Sequence, residues 1–204
     1  MVLIGMLDSP YVRRVAVTLK LMGLPFEHRC VSVFRQVDEF RKVNPVVKAP
    51  TFVCDDGTVL MDSTLIIDYL EHCVAPAKAL MPARGPERQE ALRLLGLSLA
   101  ACEKCVQLIY ERERRPPERQ HADWIDRVAW QANAALGELE RAAARARPWL
   151  QGERFNAADV ALACTWRFAQ YYQSTGMDAT RYPALVAYSA RAEQLPQFAS
   201  TPLD

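Results

Sequence analysis

The spacing of apolar positions changes period several times along the first seventy residues. Val2 to Leu7 is a short apolar run of strand formers. From there the period lengthens: Val12, Val15, Ala16, Leu19 and Met22 fall at i, i+3, i+4, i+7 and i+10, one face of a helix. Pro10 stands at the first helical position, where a missing N–H has no intrahelical partner to lose. Ser9 stands before it as the cap, its hydroxyl placed to accept from a free N–H of the first turn. Phe26 to Val33 alternates as a strand does, and the polar stretch Arg35 to Val43 reads as a short helix. Thr51-Phe52-Val53-Cys54 and Thr58-Val59-Leu60-Met61 flank Asp55-Asp56-Gly57, which is a hairpin signal. Leu65, Ile66, Tyr69, Leu70 and Cys73 then mark a further amphipathic helix. The order predicts β-α-β-α-β-β-α: a parallel pair joined by a crossover helix, followed by an antiparallel hairpin.

After residue 74 the strand signals stop. Ala75 to Pro86 carries three prolines and a glycine without periodicity and reads as a linker. Helical spacing then runs from about Glu87 to Arg114, stopped by Pro116-Pro117, and from about Glu118 to Arg147, stopped by Pro148. Asn156 with Asp159 three residues on has the form of a capping box, with Phe155 and Val160 placed as a hydrophobic staple. The expected organisation is an α/β domain over residues 1–76, a linker over 77–86 and an all-helical domain over 87–204.

Composition narrows the class. Half of the 204 residues are hydrophobic, enough for a substantial core, and 25 basic side chains face 24 acidic ones. That balance lacks the basic excess of a nucleic-acid surface, and no run approaches a membrane span, so neither partner is expected. The opening Met-Val-Leu-Ile lacks the basic segment of an export signal, which makes the cytoplasm the expected compartment. There the six cysteines are expected as free thiols. Cys102 and Cys105 form a C-x-x-C inside a helical pattern with no second pair elsewhere, which reads as core packing. His28, His72 and His121 show no ligand spacing, and no metal is expected.

Three places in the first domain carry possible chemistry. Ser9 sits where a strand gives way to a helix, an end that favours anions. Pro50, in Asn44-Pro45-Val46-Val47-Lys48-Ala49-Pro50-Thr51, opens a strand. In trans it starts an edge strand; in cis it turns the backbone of Ala49 toward an extended ligand. Asp62-Ser63 precedes the helix of Leu65 to Cys73, as a cap or as the seat of a ligand carrying both an ammonium and a carboxylate.

Ser9-Pro10-Tyr11-Val12-Arg13, the Asn44-Pro45 to Lys48-Ala49-Pro50 stretch, Asp62-Ser63 and the box from Phe155 to Asp159 stand in a distinctive order and separation. In these the chain resembles a cytosolic glutathione S-transferase of bacterial type, with serine at the reactive position, over nearly its whole length. The resemblance implies a thioredoxin-like domain followed by an all-helical one, with glutathione as co-substrate. It implies that the Ser9 hydroxyl bonds the glutathione sulfur and that the Ala49 backbone, beside a cis Pro50, pairs with the cysteinyl part. Asp62 and Ser63 would take the γ-glutamyl end, Lys48 would lie near the ligand backbone, and Phe34 and Arg35 would meet the glycyl end. A small hydrophobic electrophile would lie between the domains against Tyr11, Tyr110 and Trp166. A homodimer is implied as well, with the Glu87 to Arg114 helix at its interface and Glu103 reaching the partner's ligand.

Two departures stand out. The family pattern usually has glycine where Val47 stands, and valine tolerates positive φ poorly, so a loop of different shape is expected. No cysteine lies at positions 8 to 13, which sets aside disulfide chemistry through a catalytic thiol there. The leading function is transfer of glutathione to an electrophile, as in detoxification. The alternatives are a non-catalytic interaction or stress-response protein on the same fold, and a glutathione-dependent thiol oxidoreductase.

Overall fold

A computed structural model describes residues 1–203. The chain divides into two compact units: Met1–Leu80 with the segment from Leu195 onward, and Met81–Gln194. The boundary falls inside the stretch expected as linker. The C-terminal segment, expected with the helical part, clusters with the first unit instead.

In the first unit the elements are β1 (Val2–Ile4), α1 (Pro10–Met22), β2 (Glu27–Arg29), α2 (Val37–Val43), β3 (Thr51–Val53), β4 (Val59–Met61) and α3 (Ser63–His72). The sheet order is β2-β1-β3-β4, with β1 parallel to β2 and the β1/β3 and β3/β4 pairs antiparallel. This is the β-α-β-α-β-β-α order read from the spacing. The first two strands are shorter than expected. β1 stops at Gly5, whose φ of +138° only glycine holds readily, and a Cβ there would stand 2.6 Å from Val12 Cγ2. β2 lies at the sheet edge and stops at Arg29, whose carbonyl accepts from Gly5 N at 3.0 Å. Beyond it the hydroxyl of Ser32 accepts from the backbone N–H groups of Phe34 and Arg35, each at 3.2 Å, turning the chain into α2.

Strand alternation sorts the core. Ile4, Val31 and Phe40 form one buried cluster with Val2, Val43, Val47, Ala49 and Val53 packed against it. Leu3 and Phe52, register partners without exposure, belong to the opposite face. Along α1 every residue from Val12 to Leu19 is buried, arginines included.

The second unit is helical. α4 (Gly85–Ile109) packs against α5 (Ala122–Arg145) and α6 (Ala157–Tyr171), and α7 (Pro183–Glu193) packs against α5 and α6. The first expected helix ends its α-type bonding at Ile109 and continues as a π-helical turn, Tyr110–Arg114. The second begins later than expected: Pro117–Arg119 is a 3-10 turn, and α5 starts at Ala122, where His121 Nδ1 accepts from Trp124 N at 3.2 Å. The capping box of α6 is formed, with Asn156 Oδ1 accepting from Ala158 N at 2.8 Å and Asp159 Oδ2 from Asn156 N at 2.7 Å. No helix among the described residues is long and apolar enough to cross a membrane.

Candidate active site

The site is built at three loops of the first unit. Ser9 caps α1 with an extended backbone, φ −70° and ψ 120°, and its Oγ accepts from Val12 N at 3.4 Å. The carbonyl of Ser9 accepts the first intrahelical bond, from Arg13 N at 2.9 Å. With one lone pair of the hydroxyl engaged by Val12, its hydrogen remains to be donated outward.

The Ala49–Pro50 peptide bond is cis. Asn44 holds the loop that leads to it: its Oδ1 accepts from Val46 N at 3.0 Å, and its Nδ2 donates to Thr51 Oγ1 at 2.8 Å. The same threonine hydroxyl donates to Lys48 O at 2.8 Å, closing the loop from the far side. Val47 keeps the left-handed conformation, φ 53°, so the expectation of a different loop shape is corrected. Its N–H donates to Asn44 O at 3.0 Å and its side chain packs against the Ile4, Val31 and Phe40 cluster, which offsets the steric cost of a valine at positive φ. A Cβ on Gly5 would also meet Ala49 Cβ at 3.2 Å, so the first turn of α1 and the cis-proline segment converge at this glycine.

Asp62 caps α3 with a positive φ of 70°, its Oδ1 accepting from Thr64 N at 2.8 Å. Ser63 is buried, and Arg14 Nη1 donates to Ser63 Oγ at 3.1 Å and to Thr64 Oγ1 at 3.2 Å. An arginine can only donate, so Ser63 must turn its own hydrogen toward another acceptor, as an incoming carboxylate would provide. Arg14 therefore joins α1 to the start of α3.

The remaining expected residues divide. Arg35 Nη2 contacts Met6 Sδ at 3.3 Å, placing its guanidinium over the segment that leads to Ser9, while Phe34 beside it is half exposed. Lys48, before Ala49, is exposed, and Tyr11, in the first turn of α1, is partly exposed. Tyr110 and Trp166 belong to the second unit. Tyr110 is half exposed at the start of the π turn, and desolvation pushes its phenol above the ordinary value. Trp166 is only 2% exposed and meets Tyr182 edge-on at 5.4 Å. Glu103 is exposed on α4 and accepts from Gln107 Nε2 at 2.6 Å.

Arg14 and Gly5 are residues of the candidate site to which the sequence reading gave no part, and Asn44 appeared there only within its motif. A signal for Arg14 was present: Val12 to Leu19 is apolar around most of the helix, and a helix apolar on all sides is buried, so its arginines need partners.

Comparison with known proteins agrees with this geometry. Residues 3–77 match the family model of the glutathione S-transferase N-terminal domain, and residues 122–191 that of the C-terminal domain. A GST-like protein of Escherichia coli, YibF, is 30% identical over 80% of this chain and 79% of its own. A probable maleylacetoacetate isomerase of Vibrio cholerae is 28% identical, covering 98% of this chain and 94% of its own. Among solved structures, a glutathione S-transferase of Methylobacterium radiotolerans in complex with glutathione sulfonate superposes with a TM-score of 0.89 at 28% identity, over 100% of this chain and 95% of that one.

Proposed function

The chain belongs to the glutathione S-transferase family, and from that premise we propose that it binds glutathione in the first unit and activates the thiol at Ser9 for attack on a small hydrophobic electrophile. The observation that carries this reading is the convergence of three loops: the Ser9 cap of α1, the cis Ala49–Pro50 segment and the Asp62-Ser63 pair braced by Arg14. In this reading the Ala49 backbone pairs with the cysteinyl portion. Asp62 takes the ammonium and Ser63 the carboxylate of the γ-glutamyl end, with Lys48, Phe34 and Arg35 toward the rest of the tripeptide. The sulfur then lies at the N-terminal end of α1.

The gain there is electrostatic. A free thiol of pKa about 8.5 is only a few per cent ionised at neutral pH. Lowering it by about two units, through a helix N-terminus and a hydroxyl donor, is worth roughly 2.7 kcal/mol and leaves most of the bound ligand as thiolate. Thiolate is the attacking species, and holding an electrophile beside it removes the entropic cost of encounter.

Relatives named as maleylacetoacetate isomerases favour a second outcome of the same activation. There the thiolate adds to a conjugated carbon–carbon double bond, rotation follows, and the thiolate is expelled, so glutathione is regenerated. Stoichiometric loss of glutathione separates transfer from isomerisation. The two alternatives from other classes find less support. A pure interaction protein would not need the polar set of Asp62-Ser63 with Lys48-Ala49-Pro50. A thiol oxidoreductase relying on the Cys102–Cys105 pair would find both buried in α4, where burial pushes the Cys105 thiol up to about 12 and keeps it unreactive. The proposal includes a homodimer, supported by Val59, Met61, Leu65 and Tyr69, large apolar side chains that β4 and α3 leave exposed.

Ser9 supplies the test. If it holds the thiolate, Ser9→Ala raises the thiol pKa of bound glutathione, and the rate falls more at neutral than at high pH. A variant that loses only about 1 kcal/mol of stability, with its pH–rate profile unmoved, reduces Ser9 to a helix cap.

A further inference from the structure

Arg13 follows Ser9 by one helical turn and is 1% exposed. Its backbone and side chain do different things. The backbone N–H donates to Ser9 O at 2.9 Å, while Nε donates to Thr201 O at 2.8 Å and Nη2 to Phe198 O at 3.5 Å. The guanidinium carbon also stands 5.4 Å from the centroid of the Phe198 ring, a cation–π contact. Phe198 belongs to α8 (Pro196–Ala199), is fully buried, and lies 185 residues from the arginine that holds its carbonyl. One residue thus grips the carbonyl of the cap with its main chain and the Phe198–Thr201 segment with its side chain.

A buried guanidinium is tolerated only while its donors are matched, and losing those partners is strongly destabilising. The C-terminal segment therefore constrains where the first turn of α1 can sit. The cap itself is held by its N–H, which donates to Met6 O at 3.2 Å, and by a long bond of 3.4 Å from Val12 N to the Ser9 hydroxyl.

We propose that the segment from Pro196 to Thr201 is a strap that, through Arg13, positions the first turn of α1 and its cap Ser9 for thiol activation. Arg13 is then a positioning residue that acts through Ser9 and touches no substrate. The inference rests on the reading of Ser9 given above.

The experiment compares the full-length chain with Arg13→Met, which keeps the apolar stem and removes every donor, and with Arg13→Lys, which restores the charge and part of the bonding. Two readouts separate positioning from general damage. One is the thiol pKa of bound glutathione, from thiolate ultraviolet absorbance and the pH–rate profile. The other is the affinity for glutathione sulfonate, measured by calorimetry, whose charge is fixed. The strap requires Arg13→Met to raise the bound thiol pKa by about one unit, a roughly tenfold loss of rate at neutral pH that is recovered at high pH. Sulfonate affinity should change less than about twofold, and Arg13→Lys should recover part of the shift. If Arg13→Met fails to fold, Phe198→Leu, which removes only the ring beneath the guanidinium, should shift the pKa in the same direction by less. An unmoved pKa in the folded variant overturns the strap, whatever its stability. A wild-type chain that binds no glutathione overturns the reading of Ser9 as well, and so is told apart from failure of the strap alone.

Discussion

Asp62 occupies a conformation, φ 70° and ψ 121°, that side chains other than glycine seldom adopt. It is also the cap of α3 and the proposed seat of the γ-glutamyl ammonium. Strain at a residue proposed to bind ligand is a common pairing, because the recognition geometry is chosen over backbone comfort. Two substitutions separate the roles. Asp62→Ala loses the cap bond to Thr64 and leaves a Cβ at positive φ, costing about 1–2 kcal/mol of stability. Asp62→Gly should cost only a few tenths, since glycine caps tolerably and accepts the backbone angle. Both should weaken glutathione by roughly tenfold or more, the loss of one charge-assisted contact. Urea denaturation paired with calorimetry checks this, and retained affinity in the glycine variant would remove Asp62 from the site. Val47 is the contrasting case, a strained residue held by packing, with its side chain turned into the core.

At the scale of elements, the helix starts explain both folding and function. α1 and α6 are each preceded by a polar cap, but only the α1 cap faces the proposed ligand. The cap of α6 is locked inward. Asp159 is fully buried and accepts from Asn156 N at 2.7 Å, from Leu150 N at 2.9 Å and from the Tyr188 hydroxyl. Trp149 closes over this cluster, edge-on to Phe155 at 4.6 Å and to Tyr188 at 5.8 Å. Asp159→Ala should therefore destabilise the protein by about 3–5 kcal/mol, because three buried donors lose their acceptor at once. Burial pushes the Asp159 carboxyl above its ordinary value, with the hydrogen bonds pulling the other way. A carboxyl raised in the folded state binds its proton more tightly there than in the unfolded chain. Its contribution to stability is greatest in acid and declines as pH rises from the ordinary value to the raised one. Urea midpoints across pH for wild type and Asp159→Asn should show that decline only in the wild type.

At the scale of the whole molecule, each unit has its own core and the C-terminal segment is part of the first. The exposed apolar side chains of β4 and α3 are one surface left to account for. Leu65 is 64% exposed, high for a leucine flanked by Met61 at 39% and Tyr69 at 39%. If a second copy covers this face, Leu65→Glu places a charge where apolar contact was, and the dimer dissociation constant should rise at least tenfold. Light scattering over a concentration series measures it. A wild type that is already monomeric at micromolar concentration would refute the dimer.

What the sequence alone determined is everything that repeats or caps over a few residues. The βαβαββα order, the helix faces, the Asp55-Asp56-Gly57 hairpin, the α6 box and the Ser9–Pro10 start of α1 all follow from local spacing, because period and capping chemistry act within one or two turns of chain. The resemblance suggested the roles proposed for Ser9, Ala49, Asp62 and Ser63, also from short motifs. Tertiary structure decided the contacts across long separations: Arg13 with Phe198 and Thr201, Arg14 with Ser63, and Asn44 with Thr51. It also placed Trp166 in the core, kept Val47 left-handed, and grouped the segment from Leu195 onward with the first unit. These depend on which surfaces meet once the elements pack. A buried arginine and an exposed one look alike in a sequence until the fold supplies the carbonyl that answers it.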